Sequence, residues 1–344
     1  HSIVIGFAES SWPRLLQDYA KGRLKRVYQS HESNMIGIPE PRRDLQKKFG
    51  YLNPYTVFAT RGCRRRCDFC TVSAVPFGWQ TRPVGDVINE IRNIKAHRIA
   101  FNDVSLLEDR EYAKELFTAL IPLKKVWGGL CTTQIGKDDE ILDLMRESGC
   151  IYLLVGFESV SNKALYDIGK GFNNPNNYPQ LIKKIHDKGI IIQGCFIFGF
   201  DNDDKNVFKQ TVEEVNNLRI DIPRYAIYTP YPKTKAFQRF KAQGRILHEN
   251  WGFYDTQHVV FQPAQMTPED LDAGFQWAYR ETFKYNSIKK RLLGSNKSFL
   301  VKFFGNFAYK LYIRRLNNDN DRFPVKSLKR NVLPNIDSKE GSVV

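Results

Sequence analysis

Cys63-Arg64-Arg65-Arg66-Cys67-Asp68-Phe69-Cys70 sets three cysteines within eight residues, spaced C-x3-C-x2-C. Just upstream lies Tyr55-Thr56-Val57-Phe58-Ala59-Thr60, a β-branched and aromatic run with the signature of a short strand. The thiols are therefore expected on a loop at the C-terminal end of a strand. Soft thiolate ligands suit zinc or iron–sulfur clusters. A cubane has four irons and usually takes four cysteines. Three local cysteines then call for a fourth ligand elsewhere, or leave one iron open to a substrate or cofactor. Zinc usually takes paired C-x2-C arms with a second pair or histidines downstream, and no such pair follows here. Three buried thiols without metal are the remaining alternative.

Outward from this loop, strand-like and helix-like segments alternate from Tyr55 to about Gln243. Strands are expected at 55–60, 98–103, 126–132, 150–156, 190–198 and 224–229. Helices are expected at 84–96, 110–122, 137–148, 161–169 with 177–188, and 204–218, with a further one at 234–242. Repeated βα units point to a parallel sheet with right-handed crossovers. Six units do not fill an eight-stranded barrel; an open partial barrel or a doubly wound sheet would give the same alternation. Sites on such barrels gather at the C-terminal strand ends. Here those ends read Asn102-Asp103, Thr132-Thr133-Gln134, Gly156-Phe157-Glu158-Ser159, Gly199-Phe200-Asp201 and Thr229-Pro230-Tyr231-Pro232. Ser159 and Asp201 also read as plausible helix caps.

The cysteine spacing, with an aromatic residue before the third cysteine, resembles the radical S-adenosylmethionine (radical SAM) superfamily. The resemblance covers about 52–285 and, weakly, the first thirty residues. It implies an α/β fold, an open (β/α)6 partial TIM-type barrel at 55–245 with a mainly helical extension at 246–344. It implies that Cys63, Cys67 and Cys70 hold a [4Fe-4S] cluster whose fourth iron binds SAM. Phe69 matches the position whose backbone contacts the adenine. Asn102 and Asp103 stand where the family commonly has Gly-Gly-Glu, used on the SAM amino group. Glu158 and Ser159 match a Gly-x-Glu-Ser pattern of cobalamin-type members. Gly194-Cys-Phe-Ile197-Phe-Gly199 resembles the fifth-strand motif that packs on adenine, and Tyr228 to Pro230 the sixth-strand position beside it. Thr229-Pro-Tyr-Pro-Lys-Thr234 looks like a Thr-Pro-Tyr-Pro-Gly-Thr run, with Lys233 in place of glycine. The implied chemistry is one-electron cleavage of SAM to a deoxyadenosyl radical that takes hydrogen from an unactivated carbon. The implied reaction is cobalamin-type methyl transfer, with a radical cyclisation or rearrangement as the alternative. No catalytic residue is assigned beyond the cluster cysteines.

Residues 1–30 read as one βα unit: a strand from Ser2, then a helix capped by Ser10 or Ser11 with Pro13 in its first turn. Gly6, Glu9, Trp12, Pro13, Leu15 and Leu16 resemble the end of a cobalamin-binding domain whose remainder is expected upstream of His1. The signature D-x-H-x-x-G is absent; His186 stands in H-x-x-G form, but Lys184 occupies the aspartate position. Residues 31–54 read as a linker.

Among 344 residues, 42% are hydrophobic, enough for a sizeable core, and the net charge is +15. From Asn286 to Val344 there are thirteen Lys and Arg against four Asp and Glu, so the excess is largely a property of the tail. That tail suits an anionic lipid, a nucleic acid, an acidic partner or plain solvent. No nucleic-acid-binding module is visible, which argues against a nucleic-acid modifier. Cys131, Cys150 and Cys195 lie in apolar runs and are expected to be buried free thiols, in keeping with a reducing cytoplasm. No signal peptide is visible. Thr267-Pro-Glu-Asp270 opens a helix expected to run to about Tyr285 and to cover the open side of the barrel. Residues 298–316 read as a basic amphipathic helix, packed on the barrel or lying on a membrane surface. The expected partners are a small-molecule or lipid-like substrate and an electron donor such as flavodoxin or ferredoxin, which Arg64, Arg65 and Arg66 would help recruit if they are not simply solvated. A non-enzymatic iron–sulfur or zinc protein is the remaining class.

Overall fold

The computed structural model describes residues 1–30, 34–46, 54–75, 78–292 and 299–316. Parts of the expected linker and all of the chain after 316 lie outside the described residues. Six strands form one sheet in chain order: Thr56–Val57, Arg98–Phe101, Val126–Thr132, Cys150–Glu158, Ile191–Phe198 and Ile222–Ile227. The strand pairs with a resolved register are parallel. This linear order of βα units is the open partial barrel, and it decides against a doubly wound sheet, whose strand order would reverse at a switch point. The chain divides into two compact units, residues 1–65 with 75–153, and residues 66–74 with 154–344.

In the first unit, Trp127 is the centre of the core. It stacks on Phe117 at 5.2 Å and meets Phe101 edge-on at 5.3 Å, while its indole N–H donates to the Ser148 carbonyl. Aromatic contacts of this kind add about 0.5–1.5 kcal/mol beyond area burial. Helices Val84–Asn93, Arg110–Leu120 and Asp139–Glu147 bury their apolar stripes, for example Val87, Ile91, Leu116 and Met145. A short antiparallel ribbon, Thr60–Arg61 with Gln80–Thr81, flanks the cysteine loop. The loop's neck requires glycine: Gly62 has φ of +81°, and a Cβ there would lie 1.8 Å from the Gly78 carbonyl oxygen.

The N-terminal βα unit forms with one correction. Helix Ala8–Ala20 starts two residues before Ser10, capped by the backbone of Phe7, so Pro13 lies inside it. The serines are drawn elsewhere: Ser10 and Ser30 share a 2.7 Å hydrogen bond and Ser11 is buried. Strands Ile3–Ile5 and Val27–Gln29 form a parallel pair.

In the second unit, Phe157 stacks on Phe196 at 5.5 Å, and Phe198 meets Phe208 and Tyr225. The last strand, Ile222–Ile227, is a sheet edge. Its outward groups are occupied one by one. Asn306 donates to the Asp221 carbonyl; the Tyr279 hydroxyl accepts from Tyr225 N and donates to Tyr225 O; Ile227 N donates to Thr256 O. Pro223 has no N–H to satisfy. Tyr279 belongs to helix Pro268–Thr282, which carries the expected Thr267–Asp270 capping box and ends before Phe283, with a separate helix at Tyr285–Leu292.

Helix Phe299–Leu316 packs on this edge, but it is not amphipathic in the expected sense. Its buried side holds Lys302 and Asn306, and its exposed side holds Phe303, Phe304 and Phe307. Lys302 tolerates burial because Asp221 lies 3.3 Å away. Asn306 accepts from Arg291 while donating to backbone. Among the described residues no helix is long and apolar enough to cross a membrane.

Replacing Tyr279 with Phe leaves Tyr225 N–H and C=O without their partner. The expected loss is about 1–3 kcal/mol in urea unfolding. A loss below the error of the measurement would show that water closes this edge equally well.

Candidate functional site

The cysteine loop is held from within by its own aspartate. Asp68, between the second and third cysteines, is buried. Its carboxylate accepts from the Tyr228 hydroxyl at 3.0 Å and from Arg239 at 2.7 Å. Its backbone N–H donates to Ile168 O, and its carbonyl accepts from Ala236 N. One residue thus joins the loop to the end of the sixth strand and to helix Lys235–Ala242. Phe69, half-buried, meets Tyr228 edge-on at 6.2 Å. The Tyr228 phenol is pushed well above its usual range, by burial first and then by the Asp68 charge, so it remains a donor.

A second polar knot closes the fourth strand. Glu158 has φ of +66°, a left-handed conformation that a side chain adopts only when its surroundings enforce it. Buried Lys170 pairs with the Glu158 carboxylate and also donates to Gly156 O. Asn173 donates to Gly156 O and Phe157 O, and Tyr178 to Phe157 O and Ser159 O. A side chain at Gly156 would displace this pair, since its Cβ would meet the Glu158 carboxylate and the Lys170 ammonium. Burial alone would lower the Lys170 pKa; the Glu158 charge outweighs it and the net direction is up. The same lysine acts on Cys67, whose thiol burial pushes up to about 11 while Lys170 pulls it back. This unit therefore brings Cys67, Phe69, Cys70, Glu158 and Tyr228 into one neighbourhood.

The expected cap roles are corrected here. Ser161, not Ser159, caps helix Asn162–Asp167. The Ser159 hydroxyl accepts from Ser161 N, which fixes the approach to that helix. After the fifth strand, Asp203 rather than Asp201 accepts from Gly199 N and Phe200 N, both at 3.0 Å, while Asp201 pairs with Arg245 at 2.7 Å.

The fifth strand separates two residues grouped together from the sequence. Side chains alternate faces along a strand. Gly194 shares the helix-covered face of Phe196 and Phe198, and the place of its missing side chain is bounded by Ile220 and Phe157. Its lack of a side chain serves packing there. Ile197 points to the opposite, less buried face. Gly199 ends the strand at φ of +100°, close under Leu271 and Phe261, and Pro230 is buried.

In the first unit, Asp103 is committed to structure. Its carboxylate accepts from Ala59 N, Thr60 N and the Thr60 hydroxyl. Burial raises its pKa to about 6 against those bonds. Asp103 thus shapes the first strand end, whereas Asn102 keeps an exposed side chain. Cys63 donates to Glu108 at 3.4 Å, and Glu108 also accepts from Arg64 N. Arg64 lies over Trp79, 4.4 Å from the ring centre, and Arg66 is exposed. Asp68, Glu108, Lys170 and Arg239 were not found from sequence. Asp68 alone carried a signal, as a charge between two cysteines.

The donor set is three soft thiols of one loop, a type that suits an iron–sulfur cluster. Cys67 is buried and Cys63 and Cys70 are half-buried, all three as free thiols. Among the described residues, no group of three or more His, Cys, Asp or Glu stands close enough to hold one metal ion. A cubane places its thiolates on separate irons. Cys131 and Cys150 are buried free thiols as expected, and Cys195 is half-buried. His186 pairs with Asp221 at 2.8 Å at the end of its helix.

The family model described as Radical SAM superfamily matches residues 57–215. Bacteriochlorophyllide d C-12(1)-methyltransferase of Chlorobaculum tepidum is 31% identical over 330 residues, which cover 92% of this chain and 71% of that protein. The anaerobic magnesium-protoporphyrin IX monomethyl ester cyclase of Cereibacter sphaeroides is 24% identical, over 73% of this chain and 44% of its own length. Among solved structures, the radical S-adenosylmethionine methyltransferase TsrM of Kitasatospora setae, with cobalamin and a [4Fe-4S] cluster bound, aligns at a TM-score of 0.52. It shares 16% identity, over 64% of this chain and 43% of that one, a likeness of fold.

Two predictions follow from the buried charges. Lys170→Met leaves Glu158 buried and unpaired and is expected to cost about 3–5 kcal/mol in urea unfolding, with Lys170→Met/Glu158→Gln recovering most of it. Burial raises the Asp203 pKa to about 7, above its unfolded value, so the folded state binds more protons and stability falls as pH rises from about 4 to about 7. Asp203→Asn should therefore gain on the wild type in thermal unfolding across that window; parallel curves would refute the titration.

Proposed function

Because this chain belongs to the radical SAM superfamily, we propose that it is a methyltransferase that adds a methyl group to an unactivated carbon of a cyclic tetrapyrrole, with cobalamin as methyl carrier. The observation that carries this reading is the relation to the bacteriochlorophyllide d methyltransferase across 92% of the chain. A cyclase acting on a magnesium porphyrin ester, related over 73% of the chain, supports the same class of acceptor. It also supports a second reading, radical ring closure on such a macrocycle.

Superfamily members use a [4Fe-4S] cluster and SAM, which together supply a carbon-centred radical by one-electron cleavage of the sulfonium. The chain's own part is to bind, orient and shield. Cys63, Cys67 and Cys70 would hold three irons as thiolates, so loading releases protons, most of all from the burial-raised Cys67. Asp68, through Tyr228 and Arg239, fixes the loop that presents Cys67 and Cys70. Phe69 and Tyr228 supply an aromatic wall beside it. His186, the histidine of the H-x-x-G stretch, is engaged by Asp221 at 2.8 Å.

The position where relatives of the cobalamin type carry glycine is explained by the backbone. Lys233 has φ of +66°. Lys233→Gly is expected to be neutral or to stabilise by up to about 1 kcal/mol in thermal unfolding, and Lys233→Val to destabilise.

The decisive test is anaerobic reconstitution with iron and sulfide, then SAM, a strong reductant, hydroxocobalamin and bacteriochlorophyllide d. Deoxyadenosine, S-adenosylhomocysteine and a pigment heavier by one methylene are expected together, and none from the Cys63→Ala/Cys67→Ala/Cys70→Ala variant. Deoxyadenosine with a pigment product that keeps its methyl count would favour ring closure. Stoichiometric zinc without cluster would overturn the enzyme reading.

A further inference from the structure

The inner face of the last two barrel strands carries a cation that nothing so far has used. Ile191–Phe198 and Ile222–Ile227 pair in parallel with Ile222 opposite Gln193, Arg224 opposite Cys195 and Ala226 opposite Ile197. Tyr225 turns to the helix side, where its hydroxyl shares a 2.7 Å bond with Thr282. By alternation, Arg224 turns the other way, onto the face of half-buried Cys195 and Ile197. Arg224 is the exposed member of a strand whose other residues are buried or half-buried.

Arg224 faces a thiol and phenols, and two of those groups also feel charges, Cys195 those of the paired Glu158 and Lys170 and Tyr231 that of Asp255. The titratable groups around it include Cys195, Tyr309 and Tyr279. Those groups are neutral at ordinary pH: burial pushes Cys195 up to about 12 and raises Tyr309 and Tyr279 as well. Tyr231 is the other group on which Arg224 acts, and burial raises it too. Among the described residues Arg224 forms no ion pair, although most arginines near the cysteine loop and strand ends do, as Arg239 and Arg245 show. Its neighbours are also fixed in place. Gln193 donates to the Tyr309 hydroxyl at 2.7 Å and Tyr312 donates to Gln257 at 2.6 Å, so helix Phe299–Leu316 closes over this patch with hydroxyls rather than carboxylates.

We propose that Arg224, on the inner face of the last barrel strand beside Cys195 and Tyr309, is a substrate-anchoring residue that binds a carboxylate of the methyl acceptor. A planar guanidinium matches a carboxylate with two parallel hydrogen bonds. A guanidinium without an ion pair among the described residues, beside a lysine already paired with Glu158, suits a single negative charge. This rests on the tetrapyrrole reading for the identity of the acceptor, since a chlorophyllide carries a free propionate. The presence of an anion anchor rests on Arg224 alone. The residue lies within the strand rather than at its C-terminal end, so it would hold a group remote from the reacting carbon, where binding energy is used for orientation.

The test compares a carboxylate with its ester on the cluster-loaded enzyme. Binding of bacteriochlorophyllide d and of its propionate methyl ester is followed by quenching of protein fluorescence, for wild type, Arg224→Gln and Arg224→Lys. The wild type is expected to prefer the acid by about tenfold or more, a charge-assisted bond being worth about 1.5–3 kcal/mol. Arg224→Gln should erase that preference by weakening the acid alone, and Arg224→Lys should keep part of it. Equal binding of acid and ester by the wild type, or a preference that survives in Arg224→Gln, overturns the anchor and leaves the tetrapyrrole reading standing. Should neither pigment bind, the tetrapyrrole reading falls. The anchor is then decided with anilinonaphthalene sulfonate against uncharged phenylnaphthylamine. A preference for the anion that Arg224→Gln removes supports it, and no difference between wild type and variant refutes it.

Discussion

The Asp68 carboxylate is the contact on which the site depends. A loop that offers soft ligands must hold them at fixed spacing, yet thiols themselves make weak hydrogen bonds. The chain solves this with a charge placed between two ligands. Tyr228 and Arg239 grip that charge, and the loop backbone on either side of it is bonded to Ile168 and Ala236. A buried carboxylate is costly unless it is satisfied. The arrangement is therefore cooperative: the sixth strand and the helix after it need Asp68 as much as the loop does. Glu158 and Lys170 repeat the device at the fourth strand, where the pair and three carbonyl-directed donors hold a left-handed backbone in place.

Most of the fold was legible because its signal is local. Each barrel strand and helix follows from an apolar period and a turn, and Thr267-Pro268 with Asp270 marked a helix start that formed as written. The errors arose where a side chain had a stronger distant partner. Ser10 reads as a cap, but Ser30 claims it. Ser159 reads as a cap, but Ser161 stands two residues nearer the helix. At the candidate site the sequence singled out the thiols, Phe69 and Tyr228, and the two rings meet edge-on beside Asp68. The site was not legible at Lys170 or Arg239, whose roles come from pairing with residues 12 and 171 positions away. Gly194 and Ile197 show a further limit, because a motif reads as a unit while a pleated strand sends its members to opposite faces.

Helix Phe299–Leu316 mixes its faces. Lys302 and Asn306 are inside with Ile313 and Leu316, and several phenylalanines are outside. The cause is what it covers. A sheet edge presents carbonyls and the buried Asp221 carboxylate, so the helix meets it with an ammonium and an amide. Polarity of a surface is thus decided by the partner and not by depth.

The way this edge is finished has a consequence for contact between chains. A bare edge would invite another strand. Here proline, a tyrosine hydroxyl, an asparagine amide and one loop carbonyl occupy its positions individually. A strand of a second chain could add there only by displacing the hydroxyl, the amide and the loop, so this edge resists strand-to-strand association.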